Sequence, residues 1–218
     1  MLSLVLKDIL VQKKTVLFSF AYILFVIIAF QHMGNAMFPA AIVAFNYLVV
    51  LTSCTYDEKN KSDVFINSLP ITRAQVVRSK YLSVLVFFTM GLLCYLAVAG
   101  IVHLLGLPIQ AYPVSWEGLI SAMAGVVFVN GIYLPVFFKV GYVKSRMLNF
   151  VLFFGGFFGL SLLGDFVKNR EGVLAQGFIR FMAGQSESMI LFLLFVLVVV
   201  LMVVSYGLSI KFYQGREF

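Results

Sequence analysis

Apolar runs free of charged side chains recur along the chain, at Thr15–Met33, Ala36–Cys54, Tyr81–Leu107, Leu119–Phe138, Met147–Gly164 and Ser188–Ile210. A helix needs roughly 20 apolar residues to cross the ~30 Å hydrocarbon core of a bilayer, and each run approaches or exceeds that length. The pattern predicts an all-α, polytopic membrane protein with six transmembrane helices. With 218 residues, six spans and their connections leave no room for a separate soluble domain, so residues 1–218 read as one membrane domain. The first run is longer than the ~7–15 apolar residues of a secretory leader, so it reads as a span.

The polar positions between the runs set the orientation. An even number of spans puts both termini on one side, and cationic loops resist translocation. On the topology with both ends cytoplasmic, 13 of the 16 Lys and Arg residues lie inside and only Lys168, Arg170 and Arg180 lie outside. Composition agrees: 62% of residues are hydrophobic and mean hydropathy is +1.03, well above the ~45–50% apolar share of soluble domains. The net charge of +7 is accounted for by the inner face and calls for no nucleic-acid partner. Cys54 and Cys94 both fall in apolar runs, where a thiol is a small buried hydrophobe.

Candidate chemistry is sparse. No Asp, Glu, Lys or Arg stands near the middle of a run, where an ion-coupled pump would keep one. Nor does the chain carry a phosphate-binding G-x-x-x-x-G-K-[ST] loop, an H-E-x-x-H pair or a close Ser/His/Asp set. The expectation is therefore a protein that is not an enzyme, binds no cofactor or metal, and takes any energy input from a partner. His32 and His103 lack the further ligands that a metal site needs. Asn46, Asn130 and Asn149 are amides in apolar surroundings, either bonded across helices or lining a pathway. Asn130-Gly131 followed by Pro135 predicts a kink in the fourth span. Gly155 and Gly159, in G-x-x-x-G spacing, allow close helix approach, within the chain or across a subunit or moving seam.

The most polar stretch is YDEKNKSDVFINSLPITRAQVVRSK, Tyr56–Lys80, with eight charged residues. Asn60 or Ser62 is placed to cap a short helix that Pro70 ends, because the residue before a proline is pushed out of the α region. Thr72-Arg73-Ala74-Gln75 fits a capping box that starts the next helix. Lys61, Phe65 and Leu69 stand at i, i+4 and i+8, so two apolar knobs sit beside a base on an element facing water. Two readings stay open: an interfacial helix dipping into headgroups, or a helix docked in a groove of a soluble partner.

With NSLPITR, Asn67–Arg73, shortly after the second run and YDEKNKSD just before it, the chain resembles the permease subunit of bacterial ABC-2 type exporters over its whole length. It is similar in particular to small permeases that export antimicrobial or phenol-soluble-modulin-like peptides. The resemblance implies that residues 55–80 form a cytoplasmic coupling loop, with Lys61, Asp63, Val64, Phe65, Ile66, Leu69, Pro70 and Arg73 contacting separate ABC ATPase subunits that bind ATP and Mg. It also implies an in-plane N-terminal helix over residues 1–14, a re-entrant extracellular region over 165–187, and a homodimer or a pairing with a sister permease. The location would be the bacterial inner membrane, among its lipids. Leu2, Val5, Leu6, Ile9 and Leu10 supply an apolar face for the in-plane helix. The alternative is a membrane sensor or assembly scaffold that transports nothing and binds some other cytoplasmic partner.

Overall fold

The computed structural model describes residues 2–29, 31–106, 112–142, 145, 147 and 187–216, and the secondary structure among them is helical throughout. Helix α1 (Leu2–Val11) is separated from α2 (Lys13–Ala29) by Gln12 alone. A 3-10 turn over Gln31–Ala36 follows, broken at Gly34, whose φ of 59° is open to glycine at little cost. Then come α3 (Met37–Lys59), the short α4 (Ser62–Ser68), α5 (Arg73–Leu104), α6 (Trp116–Val140) and α7 (Glu187–Gln214). Four of these are long and apolar enough to cross a membrane: α3 extended back to Gly34, then α5, α6 and the part of α7 from Leu191. The chain is an all-α, multi-pass membrane protein. A shorter apolar stretch, Phe20–Ala29, lies in α2. The expected span at Met147–Gly164 and the region 165–187, apart from Met147 and Glu187, lie outside the described residues.

Contacts between helices fix their directions. Phe38 meets Gly118, Val43 meets Gly125, and Glu58 accepts from the Tyr142 N–H, so α3 and α6 run parallel. Ser205 meets Gly131 and Tyr213 meets Phe138, with ring centroids 5.1 Å apart, so α7 runs parallel to α6. Helix α5 opposes all three, pairing Tyr95 with Phe38, Lys80 with Ser53, and Arg73 with the carbonyls at the end of α7. One pole of the bundle therefore collects the C-terminal ends of α3, α6 and α7 and the N-terminal end of α5.

Lipid is as apolar as leucine, so helices in it associate through close packing and shared polar groups. Helix α3 is the centre of that packing. A Cβ on Gly91 of α5 would stand 2.5 Å from the Phe45 ring, and one on Gly125 of α6 would stand 2.6 Å from Val43 Cγ2. Both glycines let α3 side chains lie against a neighbouring backbone. Outward-facing Phe18, Phe25, Leu93, Phe128, Phe195 and Val203 give the bundle an apolar exterior.

Helix α6 continues through Pro135. A proline has no N–H to give to the carbonyl four residues earlier, which here belongs to Gly131. Ser205 Oγ of α7 donates to that carbonyl at 2.7 Å, Tyr81 of α5 bonds Ser205, and Ser209 bonds the same phenol at 2.8 Å. The backbone group freed by Pro135 is thus taken up by a chain of hydroxyls joining α5, α6 and α7, as a dry interior requires.

Candidate functional site

At this pole helical structure runs into the polar segment from both sides. Helix α3 runs on through Thr55–Lys59, five residues past the apolar run, and α5 begins at Arg73. Charge marks where the chain leaves hydrocarbon, and a helix need not stop there. Thr72 caps α5 as expected: its Oγ1 accepts from the Gln75 N–H at 3.3 Å and Gln75 Oε1 accepts from the Thr72 N–H at 3.1 Å. Helix α4 ends at Ser68, before Pro70. Its start differs from expectation, because neither Asn60 nor Ser62 caps it. Lys61 holds the cap position in left-handed backbone, φ 49°, with no side-chain cap bond. The turn between α3 and α4 is only two residues long, so backbone reversal takes the place of a capping side chain.

On α4, Asp63 and Val64 lie in the first turn. Phe65 is 67% exposed and Leu69 and Lys61 are exposed with it, while Ile66 is only 5% exposed. Successive helical residues point about 100° apart, so burying Ile66 turns Phe65 to the outside. The Ile66 side chain helps to line a narrow cavity with Leu4, Val76, Phe137 and Phe138.

Behind α4 the same cavity is walled by four charged groups from three helices. Lys80 of α5 pairs with Asp8 of α1 at 3.0 Å and with Asp57 of α3, and donates to Ser53 at 2.8 Å. Lys7 of α1 also pairs with Asp57 and lies 3.4 Å from Asp8. Ser83 donates to the second Asp8 oxygen at 2.8 Å. Two cations face two anions, and Asp8, Asp57 and Lys80 are all buried. Charges out of water persist only when paired and hydrogen-bonded. The cluster therefore ties α1, α3 and α5 into one unit directly beneath α4.

The cluster defines a second side of the N-terminal helix. Leu4, Val5 and Asp8 are buried against the bundle, whereas Leu6 and Leu10 of the apolar face point outward. Pairing Asp8 fixes the rotation of α1 more firmly than apolar periodicity does, since an unpaired buried carboxylate is costlier than two exposed leucines. Gln12, fully buried, extends this face by donating to the Val49 carbonyl of α3.

Arg73 sits in the first turn of α5, apart from the outward face of α4. Its Nη1 donates to the carbonyls of Tyr213, Gln214 and Arg216 at 3.0, 2.7 and 2.9 Å, so it closes the C-terminal end of α7. A cation at that end also meets the negative pole of the helix dipole. The loop that carries α4 is thereby fastened to α7 on one side and, through Ile66, to the ionic cluster on the other.

Deeper in the bundle, Asn46 and Asn130 form one buried pair. Asn130 Nδ2 donates to Asn46 Oδ1 at 2.9 Å and to the Val126 carbonyl, and Asn46 Nδ2 donates to the Val84 carbonyl of α5 at 3.0 Å. The two amides join α3, α5 and α6. Asn149, Gly155 and Gly159 lie outside the described residues. Among the described residues no group of three or more His, Cys, Asp or Glu is placed to hold a metal.

The residues that sequence reasoning passed over are Asp8, Asp57 and Lys80. A signal did exist: Asp8 is the only acidic residue among the first 56. No match to the chain was found among curated proteins or among solved structures. One family model matches residues 3–214, nearly the whole length, under the description ABC-2 family transporter protein. Four bilayer-length helices among the described residues agree with a membrane component. The chain belongs to the ABC-2 transporter family, as a non-catalytic membrane component.

Proposed function

We propose that this chain is the permease subunit of an ATP-driven exporter and that α4 is the helix through which a separate ATPase subunit drives it. The observation that carries this reading is the division of α4 into two faces. Phe65, Leu69 and Lys61 project outward, while Ile66 on the other side seats over the paired charges of α1, α3 and α5. An exposed aromatic beside an aliphatic residue is a suitable anchor for a groove in a soluble partner. A push on Phe65 would pass through Ile66 to the ionic cluster and through Arg73 to α7, and so reach the spanning helices.

Six spans with both termini cytoplasmic complete the reading. Helices α6 and α7 run parallel, as a single span between them would require. The concentration of Lys and Arg at the pole that carries α4 supports its cytoplasmic placement. The setting would be a bacterial inner membrane. ATP and Mg would be bound by the ATPase, and two permease copies, or this chain and a sister, would enclose the pathway. The cargo would be hydrophobic or amphipathic, a peptide in the narrowest form of the proposal. Alternating access would follow from two packings of the bundle that differ in affinity for cargo.

Phe65→Ala tests the coupling face. Truncating a central aromatic anchor costs about 1–3 kcal/mol of association, so copurification of the ATPase should fall while membrane insertion persists. Unchanged copurification would rule out Phe65 as the anchor. Insertion and copurification without any cargo-stimulated ATP hydrolysis would favour a sensor or scaffold.

A further inference from the structure

Near the α4 pole, on the outer side of the bundle, α5 and α7 part to leave an apolar groove of about 250 Å3. Leu82 and Leu85 of α5 form one wall and Met202 and Val203 of α7 the other. The ring of Tyr81 borders it, and its hydroxyl is turned away to Ser205 and Ser209, so no polar group of that residue needs water from the groove. Leu82 and Val203 are exposed, as side chains facing a bilayer are.

The end of the groove towards the pole is closed by charge. Arg78 lies one turn before Leu82 on α5, is exposed, and donates Nε to the Tyr206 hydroxyl at 3.3 Å. A guanidinium has five N–H donors, and Arg78 has no acidic partner among the described residues. The tyrosine holds the fork at the rim and leaves its other donors for an acceptor from outside. From Arg78 to Leu85 is about 10 Å along the helix, so the base stands where headgroups meet the chains that lie beside Leu82 and Leu85.

We infer that the groove between α5 and α7 is a binding site for one membrane phospholipid with an anionic headgroup, its acyl chain lying between Leu82, Leu85 and Val203 and its phosphate held by Arg78. Charge complementarity selects this occupant: an apolar trough alone would take any chain, whereas a base at its mouth favours a headgroup of net negative charge. The site joins the first turns of α5 to α7, which Arg73 also joins, so a bound lipid would brace the same pair of helices. It rests on the spanning arrangement of α5 and α7 and requires nothing of an ATPase, so its failure would leave the coupling reading untouched.

The test uses the full chain in phosphatidylcholine vesicles, with Trp116, the only tryptophan, changed to Phe. A Val199→Trp reporter sits one turn from Val203 on α7, and a Phe128→Trp reporter sits on the exposed surface of α6 away from the groove. Quenching is measured as brominated phosphatidylglycerol or brominated phosphatidylcholine is titrated in. The reporter at 199 should be quenched by phosphatidylglycerol at about fivefold lower mole fraction, the gain expected from one basic side chain beside an anionic headgroup. Adding Arg78→Gln should bring that ratio to near one, and the reporter at 128 should show a ratio near one throughout. Equal quenching by the two lipids at 199 would overturn the inference. So would a preference that survives Arg78→Gln, or one that appears equally at 128.

Discussion

Lys80→Met puts the greatest strain on the ionic cluster with the least change in shape. The ammonium pairs with Asp8 at 3.0 Å and with Asp57, and also bonds Ser53. Its removal leaves two buried carboxylates facing Lys7 alone, itself partly exposed. Breaking a buried pair on one side costs about 3–5 kcal/mol, because the charge left behind is uncompensated. For a chain of this size each kcal/mol lowers Tm by about 2–4 °C, so thermal unfolding of the purified protein should drop by on the order of 10 °C. Adding Asp8→Asn restores the balance at one cation and one anion. The double variant should therefore unfold at a higher temperature than Lys80→Met alone, a non-additivity confined to groups in contact. A single variant as stable as the parent, or a double variant less stable than the single, would refute the claim that charge balance holds α1 to α3 and α5.

Two further substitutions address the packing of the bundle. Asn130→Leu removes the donor to Asn46 and strands a buried amide oxygen, so stability should fall by about 1–2 kcal/mol, the upper range for interhelical bonds in membranes; Asn46→Leu with Asn130→Leu should cost less than the sum of the two singles. Gly125→Ala drives a methyl to 2.6 Å from Val43 Cγ2 and should lower Tm, whereas Gly125→Ala with Val43→Ala should recover most of the loss.

Local rules made the polar loop legible. The capping box at Thr72 and Gln75 and the stop before Pro70 depend on residues within four positions of each other, and the structure contains both. Long-range pairing was not legible in the same way. Lys7 and Asp57 are 50 residues apart and Asp8 and Lys80 are 72 apart, so neither periodicity nor spacing could join them. The charge pattern places Lys80 at the cytoplasmic side, and in the fold it turns inward because two carboxylates meet it there. On α1 the apolar stripe leaves Leu6 and Leu10 outward, while the side packed on the bundle is set by Asp8, whose partner on α5 lies beyond any local rule. Pro135 announced a disturbance in α6, while the serine that repairs it lies on α7, beyond the reach of any local rule.

The central claim is that Phe65, on the outward face of α4, is seated in a groove of a separate ATPase subunit. A photoreactive amino acid placed at Phe65 in the full chain, irradiated in native membranes, tests it most directly. The account predicts a covalent adduct with an ATP-binding subunit, and no such adduct when the same residue replaces the buried Ile66. Adducts only with lipid, or equal ATPase capture from Ile66, would contradict it.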